Sequence, residues 1–127
     1  MKSDTQQWLD IAATDYGSSL YLFKGAYYPQ AVYFLCQAVE KLLKAALIEL
    51  AGRPPVKTHQ LESLARKTRL PFSEAYTQIL KDLTRHYGRV RYPDYARTFY
   101  NTRAKVEPII NQGKEVYQWI LTTLNNP

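Results

Sequence analysis

The segment between Pro29 and Gly52 constrains this chain more than any other. After Pro29-Gln30 it reads AVYFLCQAVEKLLKAALIEL, with apolar residues at Ala31, Val32, Leu35, Ala38, Val39, Leu42, Leu43, Ala46, Leu47 and Leu50. That spacing covers nearly two faces of an α-helix, so the helix is expected to be central in a bundle or shared with a second copy of the chain. Pro29 suits a first helical position, because its missing N–H would have no intrahelical acceptor anyway. Gly52 is the expected left-handed stop. Glu40, Lys41 and Lys44 break the apolar run. Glu40 and Lys44 are four apart with the acid first, a weak ion pair if exposed. On a central helix the same residues would line a groove, and their polarity would need a partner. Cys36 lies in an apolar context and is read as core.

Helical periodicity continues on both sides. Ser3-Asp4-Thr5-Gln6 reads as a capping box, followed by Trp8, Ile11, Ala12, Tyr16, Leu20 and Phe23 as one buried stripe ending near Gly25. Arg53-Pro54-Pro55-Val56-Lys57 is expected to be a loop. Thr58 is expected to cap a short helix through about Lys67, and Ser73 a fourth helix running towards Tyr87. Gly88 to Pro93 reads as irregular. A last helix is expected from about Thr102 to Leu124, with a kink or a later start because of Pro108. The sequence carries no strand signal and no internal repeat. The expected fold is all-α, an up-and-down bundle of four to five helices.

Composition narrows the function classes. The 127 residues suit one domain, and 46% apolar with 22% charged residues argues against disorder. One cysteine excludes an internal disulfide framework, and two histidines cannot complete a zinc set of the usual kind, so no metal is expected. No apolar stretch reaches the roughly eighteen residues of a membrane span. The opening MKSDTQQWLD lacks the apolar run of a signal peptide, so a cytoplasmic protein is expected. No Gly-rich phosphate loop, His-Glu-x-x-His or Ser nucleophile elbow is present, and no cofactor is expected.

The net charge of +6 is concentrated. Residues 1–52 carry four lysines and five acids, residues 53–103 carry eleven Lys and Arg against four acids, and the remainder balances. The densest stretch runs from Arg85 to Arg103. It places Arg85, Arg89, Arg91, Arg97 and Arg103 among Tyr87, Tyr92, Tyr95, Phe99 and Tyr100, with Asp94 as its one acid. Arginine offers a planar fork to phosphate, and an aromatic ring offers a face for an unpaired base. The competing reading is an irregular segment anchored by its tyrosines, with solvated arginines. His86 beside Arg85 has its neutral form favoured, as a proton acceptor needs, although a surface histidine without a role is commoner. His59 faces the same choice, with local hydrogen bonding near Gln60 and Glu62 as the plainer reading.

Three stretches together resemble the HEPN family, the helical domains named for higher eukaryotes and prokaryotes nucleotide-binding. They are Gln37-Ala38-Val39-Glu40-Lys41-Leu42-Leu43-Lys44-Ala45, Thr58-His59-Gln60-Leu61 and Arg91-Tyr92-Pro93-Asp94. The resemblance implies a bundle that dimerises, binds nucleotide or RNA, and is often paired with a minimal nucleotidyltransferase in a toxin–antitoxin arrangement. The basic stretch and the resemblance together give Arg85, Arg89, Arg91, Tyr92, Asp94 and Lys44 as phosphate- or nucleotide-binding candidates. Many family members look like metal-independent ribonucleases, with an Arg and polar residue followed by a His after four to six positions. Arg85-His86 resembles the first half, but the closing position is held by Val90, Arg91 or Tyr92. Arg53 and His59 have five residues between them but flank the Pro-Pro loop, away from the family's catalytic pair. The resemblance therefore lies with the Arg-Tyr-Pro-Asp branch. The catalytic candidates are Arg85, His86 and His59. The alternatives to a binding module are an active endoribonuclease and a structural partner whose basic segment meets an acidic protein surface.

Overall fold

A computed structural model describes residues 1–54 and 57–126. Among these residues six α-helices follow one another: α1 (Ser3–Lys24), α2 (Tyr28–Ala46), α3 (Leu61–Thr68), α4 (Glu74–Arg89), α5 (Pro93–Thr98) and α6 (Arg103–Asn125). No strand occurs among the described residues. A π-helical turn, Leu47–Ala51, continues α2 to Gly52, whose φ of 59° is the left-handed stop expected of it.

α2 is the axis of the bundle. α1, α3, α4 and α6 all pack on it, and its apolar arc from Ala31 to Ala46 is fully buried within the single chain. The width of that arc therefore does not by itself call for a second copy. Ser19 Oγ donates to the Ala31 carbonyl at 2.7 Å, and the Lys2 N–H reaches Glu49 Oε1 at 3.0 Å, which sets α1 and α2 antiparallel. Lys41 and Asp15 add a part-buried ion pair of 2.6 Å between the same two helices. Tyr16 of α1 stacks on Tyr117 of α6 with centroids 4.0 Å apart. Where α6 crosses α2, a Cβ on Gly113 would lie 2.3 Å from Leu35 Cδ2 and 2.8 Å from its Cγ, so only glycine admits this approach.

Local chemistry differs from the sequence expectation at several ends. The Ser3 capping box does not form: Ser3 is already helical, Lys2 is the N-cap without a side-chain bond, and Gln6 bonds Asp10 instead. α3 starts at Leu61 rather than Thr58, whose hydroxyl accepts from the Gln60 N–H before the helix. The Pro-Pro loop expected before it includes Pro55 and Val56, which lie outside the described residues. Ser73 caps α4 through the Tyr76 N–H, and Thr102 caps α6 through the Lys105 N–H. α4 runs through Gly88 to Arg89, so the irregular stretch expected from Gly88 is shorter, and Pro93 opens the extra helix α5. α6 begins at Arg103 despite Pro108, so the later start does not occur. The carbonyl left without a helical donor belongs to Ala104, and both residues are exposed, so water can take it.

Candidate functional site

The polar residues that interrupt α2 gather a network from three elements. Glu40 is 5% exposed and Lys44 8%, yet Glu40 Oε2 accepts from Lys44 Nζ at 2.8 Å. The other oxygen, Oε1, lies 2.7 Å from Nδ1 of His59, which enters from the segment before α3. Burial pushes the Glu40 carboxyl up, but hydrogen bonds from His59 and Lys44, with their charges, outweigh it and hold the group below the ordinary carboxylate value. Trp8 of α1 presents its ring 5.6 Å from Lys44 Nζ. The Tyr87 ring of α4 meets the His59 ring edge-on with centroids 5.1 Å apart, and burial together with the Glu40 carboxylate keeps its phenol protonated.

This network answers the question of what satisfies Glu40 and Lys44 on a central helix. It also corrects one reading. His59 bonds neither Gln60 nor Glu62; its partner is nineteen residues back, on α2. Lys44 is buried and bonded to Glu40, apart from the exposed arginines. With Nδ1 occupied, His59 turns Nε2 away from Glu40, and its side chain is 64% exposed.

His86 sits elsewhere. It is buried at 9% exposure, with Nδ1 2.7 Å from the Tyr100 hydroxyl and its ring stacked over Phe99 at 6.3 Å. Burial lowers its pKa to about 4, and Arg85 and Arg89 push in the same direction. Its neutral form is thus favoured, first by burial rather than by the neighbouring cations. It is a core histidine, not a surface one.

The second constellation is a face built from the end of α4, from α5 and from the start of α6. Arg85, Arg89, Arg91 and Arg97 reach solvent there, whereas Arg103, also exposed, lays its guanidinium over the Phe23 ring of α1 at 5.5 Å. Three are answered by acids: Arg85 by Asp82 at 3.1 Å, Arg97 by Asp94 at 3.8 Å and Arg103 by Glu107 at 3.0 Å. Among the described residues Arg89 and Arg91 have no carboxylate partner. Three of the five aromatics stay open to solvent, Tyr92 at 63% and Tyr95 and Phe99 at 43% each, while Tyr87 is buried against α2 and His59. Arg89 lies over the Tyr95 ring at 5.3 Å, and Lys105 over Phe99 at 6.0 Å. Tyr100, by contrast, is fully used by the core. Among the described residues no three His, Cys, Asp or Glu side chains converge on a metal position, and no helix is long and apolar enough to cross a membrane.

The profile of the HEPN domain matches residues 5–124. The chain belongs to the HEPN family. Its helical arrangement is similar to that of TT1696 from Thermus thermophilus, with a TM-score of 0.79 and 22% identity over 95% of this chain and 98% of that one. It is likewise similar to ST0689, an archaeal HEPN homologue, with a TM-score of 0.76 and 22% identity over 98% and 99% of the two chains. No curated protein matches. In this HEPN chain the first two stretches that carried the resemblance meet in space, since Glu40 and Lys44 come from one and His59 from the other. The third, Arg91 to Asp94, forms the turn and opening of α5 on the arginine–aromatic face.

Proposed function

We propose that this HEPN protein is a homodimer that binds the phosphates of RNA or of a nucleotide through the arginine–aromatic face, beside a nucleotidyltransferase partner. The observation that carries the binding reading is the pairing of two uncompensated arginines, Arg89 and Arg91, with the exposed rings of Tyr92, Tyr95 and Phe99. Cations left without carboxylates attract phosphate, and stacking on an exposed ring contributes about 1–3 kcal/mol per unpaired base. Dimerisation is the association that family membership suggests, and a two-fold arrangement that left these rings open would bring two basic faces to one cleft. The nucleotidyltransferase is the partner that family membership suggests, and co-purification of the two proteins tests it. Fluorescence anisotropy with a labelled single-stranded RNA across a salt series tests binding. Light scattering at micromolar concentration tests the dimer.

A second reading, a metal-independent ribonuclease, is favoured by one feature. A carboxylate bonded to Nδ1 leaves Nε2 of His59 directed away from it, the orientation a proton acceptor needs. Buried His86 does not offer the same access. RNA incubated with protein in EDTA, alongside His59→Ala and His86→Ala variants, decides it. Cleavage lost only in His59→Ala supports this reading, and absence of cleavage by the parent removes it.

A further inference from the structure

At the opposite end of α4 from the arginine–aromatic face, a cavity of about 340 Å³ opens between the π-helical turn and the end of α3. Leu61 N–H donates to Thr84 Oγ1 at 2.9 Å, so α3 starts beside the end of α4 and runs back along it. The cavity is thus displaced from Arg89 by roughly 20 Å along α4. Its walls include Arg53, Lys67 and Arg69, with Leu50 and Thr68, and no acid. Among the described residues none of the three cations has a carboxylate partner.

The plain account of these cations is that they neutralise the negative ends of two helices. Magnitudes argue otherwise. Each helix end carries at most about half a negative charge, so two ends leave three full positive charges well in excess. The backbone adds a separate observation. Arg69 closes α3 with φ at 63°, a left-handed conformation in which glycine is relaxed and a side chain is strained. A cation is held at a position that backbone energetics would give to glycine, and its side chain lines the cavity.

We infer that this cavity is a second anion site, which takes a phosphate group. Arginine forks from Arg53 and Arg69 match phosphate oxygens, and Lys67 adds a point charge. The cavity is larger than phosphate alone, and Leu50, at 40% exposure, gives an apolar wall for whatever the phosphate is attached to. The inference does not depend on the arginine–aromatic face.

The test is a chemical-shift titration of the intact protein with inorganic phosphate, with a mononucleotide and with a single-stranded uridine oligomer. Saturable shifts at Arg53, Thr68 and Arg69 are expected, and they survive in an Arg89→Ala/Arg91→Ala variant. Response to phosphate or mononucleotide but not to the oligomer assigns the site to small ligands. Response to the oligomer alone assigns it to an RNA backbone. Arg69→Gly is expected to weaken binding at least tenfold while leaving the melting temperature unchanged or higher, because the strained φ is relieved. Arg53→Ala, on the other wall and outside any strained position, gives an independent loss of at least severalfold. No shift at the cavity with any probe, or affinity unchanged in both variants, overturns the inference.

Discussion

Nδ1 of His59 and Oε1 of Glu40 are 2.7 Å apart, and the second oxygen of the same buried carboxylate takes a bond from Lys44. One acidic side chain thereby ties the segment before α3 to the central helix and compensates a buried ammonium. Removing one member of a buried pair is costly, because the other charge is left without compensation. Glu40→Ala is expected to lower stability by about 3–5 kcal/mol, whereas Glu40→Met combined with Lys44→Met should cost far less. Urea unfolding of both variants checks this. A single Glu40→Ala cost no larger than that of an ordinary surface change would contradict it.

His86 makes stability depend on pH in a window of its own. Its folded pKa of about 4 lies below the ordinary 6.5. As pH falls through 6.5, the unfolded chain takes up a proton that folded His86 refuses. The contribution is therefore complete above pH 6.5 and drains away as pH falls towards 4. Glu40 acts later, since its carboxyl is held below 4.5 and its share is lost only beneath that value. Urea midpoints at about pH 7 and about pH 5 should differ less in His86→Gln than in the parent. An equal drop in both would remove His86 from the account.

Gly113 should not accept a side chain. Gly113→Ala brings a methyl against Leu35 at a distance that real contacts do not show, and overpacking of this kind costs typically about 1–3 kcal/mol. Leu35→Ala alone opens a cavity, so the pair should be strongly non-additive, with Gly113→Ala costing less in the Leu35→Ala background. A double-mutant cycle by thermal unfolding checks this. Additive losses would mean that α2 and α6 part to make room.

The sequence is most readable where one residue's local chemistry decides the outcome. Pro29 near the start of α2, left-handed Gly52 and the cap Ser73 all act over a few bonds of chain. The capping box expected at Ser3 fails because Lys2 is drawn instead to Glu49 and the Ile48 carbonyl across the bundle, which fixes the entry of α1. Long-range partners are not legible: nothing near Glu40 names His59, and nothing near His86 names Tyr100. A signal does exist in the polar break at Glu40 and Lys44, which demands a partner without identifying it. Gly113 lies in a helical stripe whose spacing says nothing about the distance to α2. The Arg85–Arg103 stretch is legible as chemistry, but its division into paired and unpaired arginines depends on Asp82 and Glu107, which lie outside it.

The salt dependence of RNA binding by the Arg89→Ala/Arg91→Ala variant decides whether the arginine–aromatic face holds RNA. For a single strand, each neutralised phosphate contributes about 0.7 to the log–log slope of affinity against salt. The two unpaired arginines should therefore account for about 1.4 of the parent slope, while Arg103→Ala, which removes an arginine already answered by Glu107, should change it less. A double variant that binds as tightly as the parent, with the same slope, would show that the arginine–aromatic face is not the RNA-binding surface.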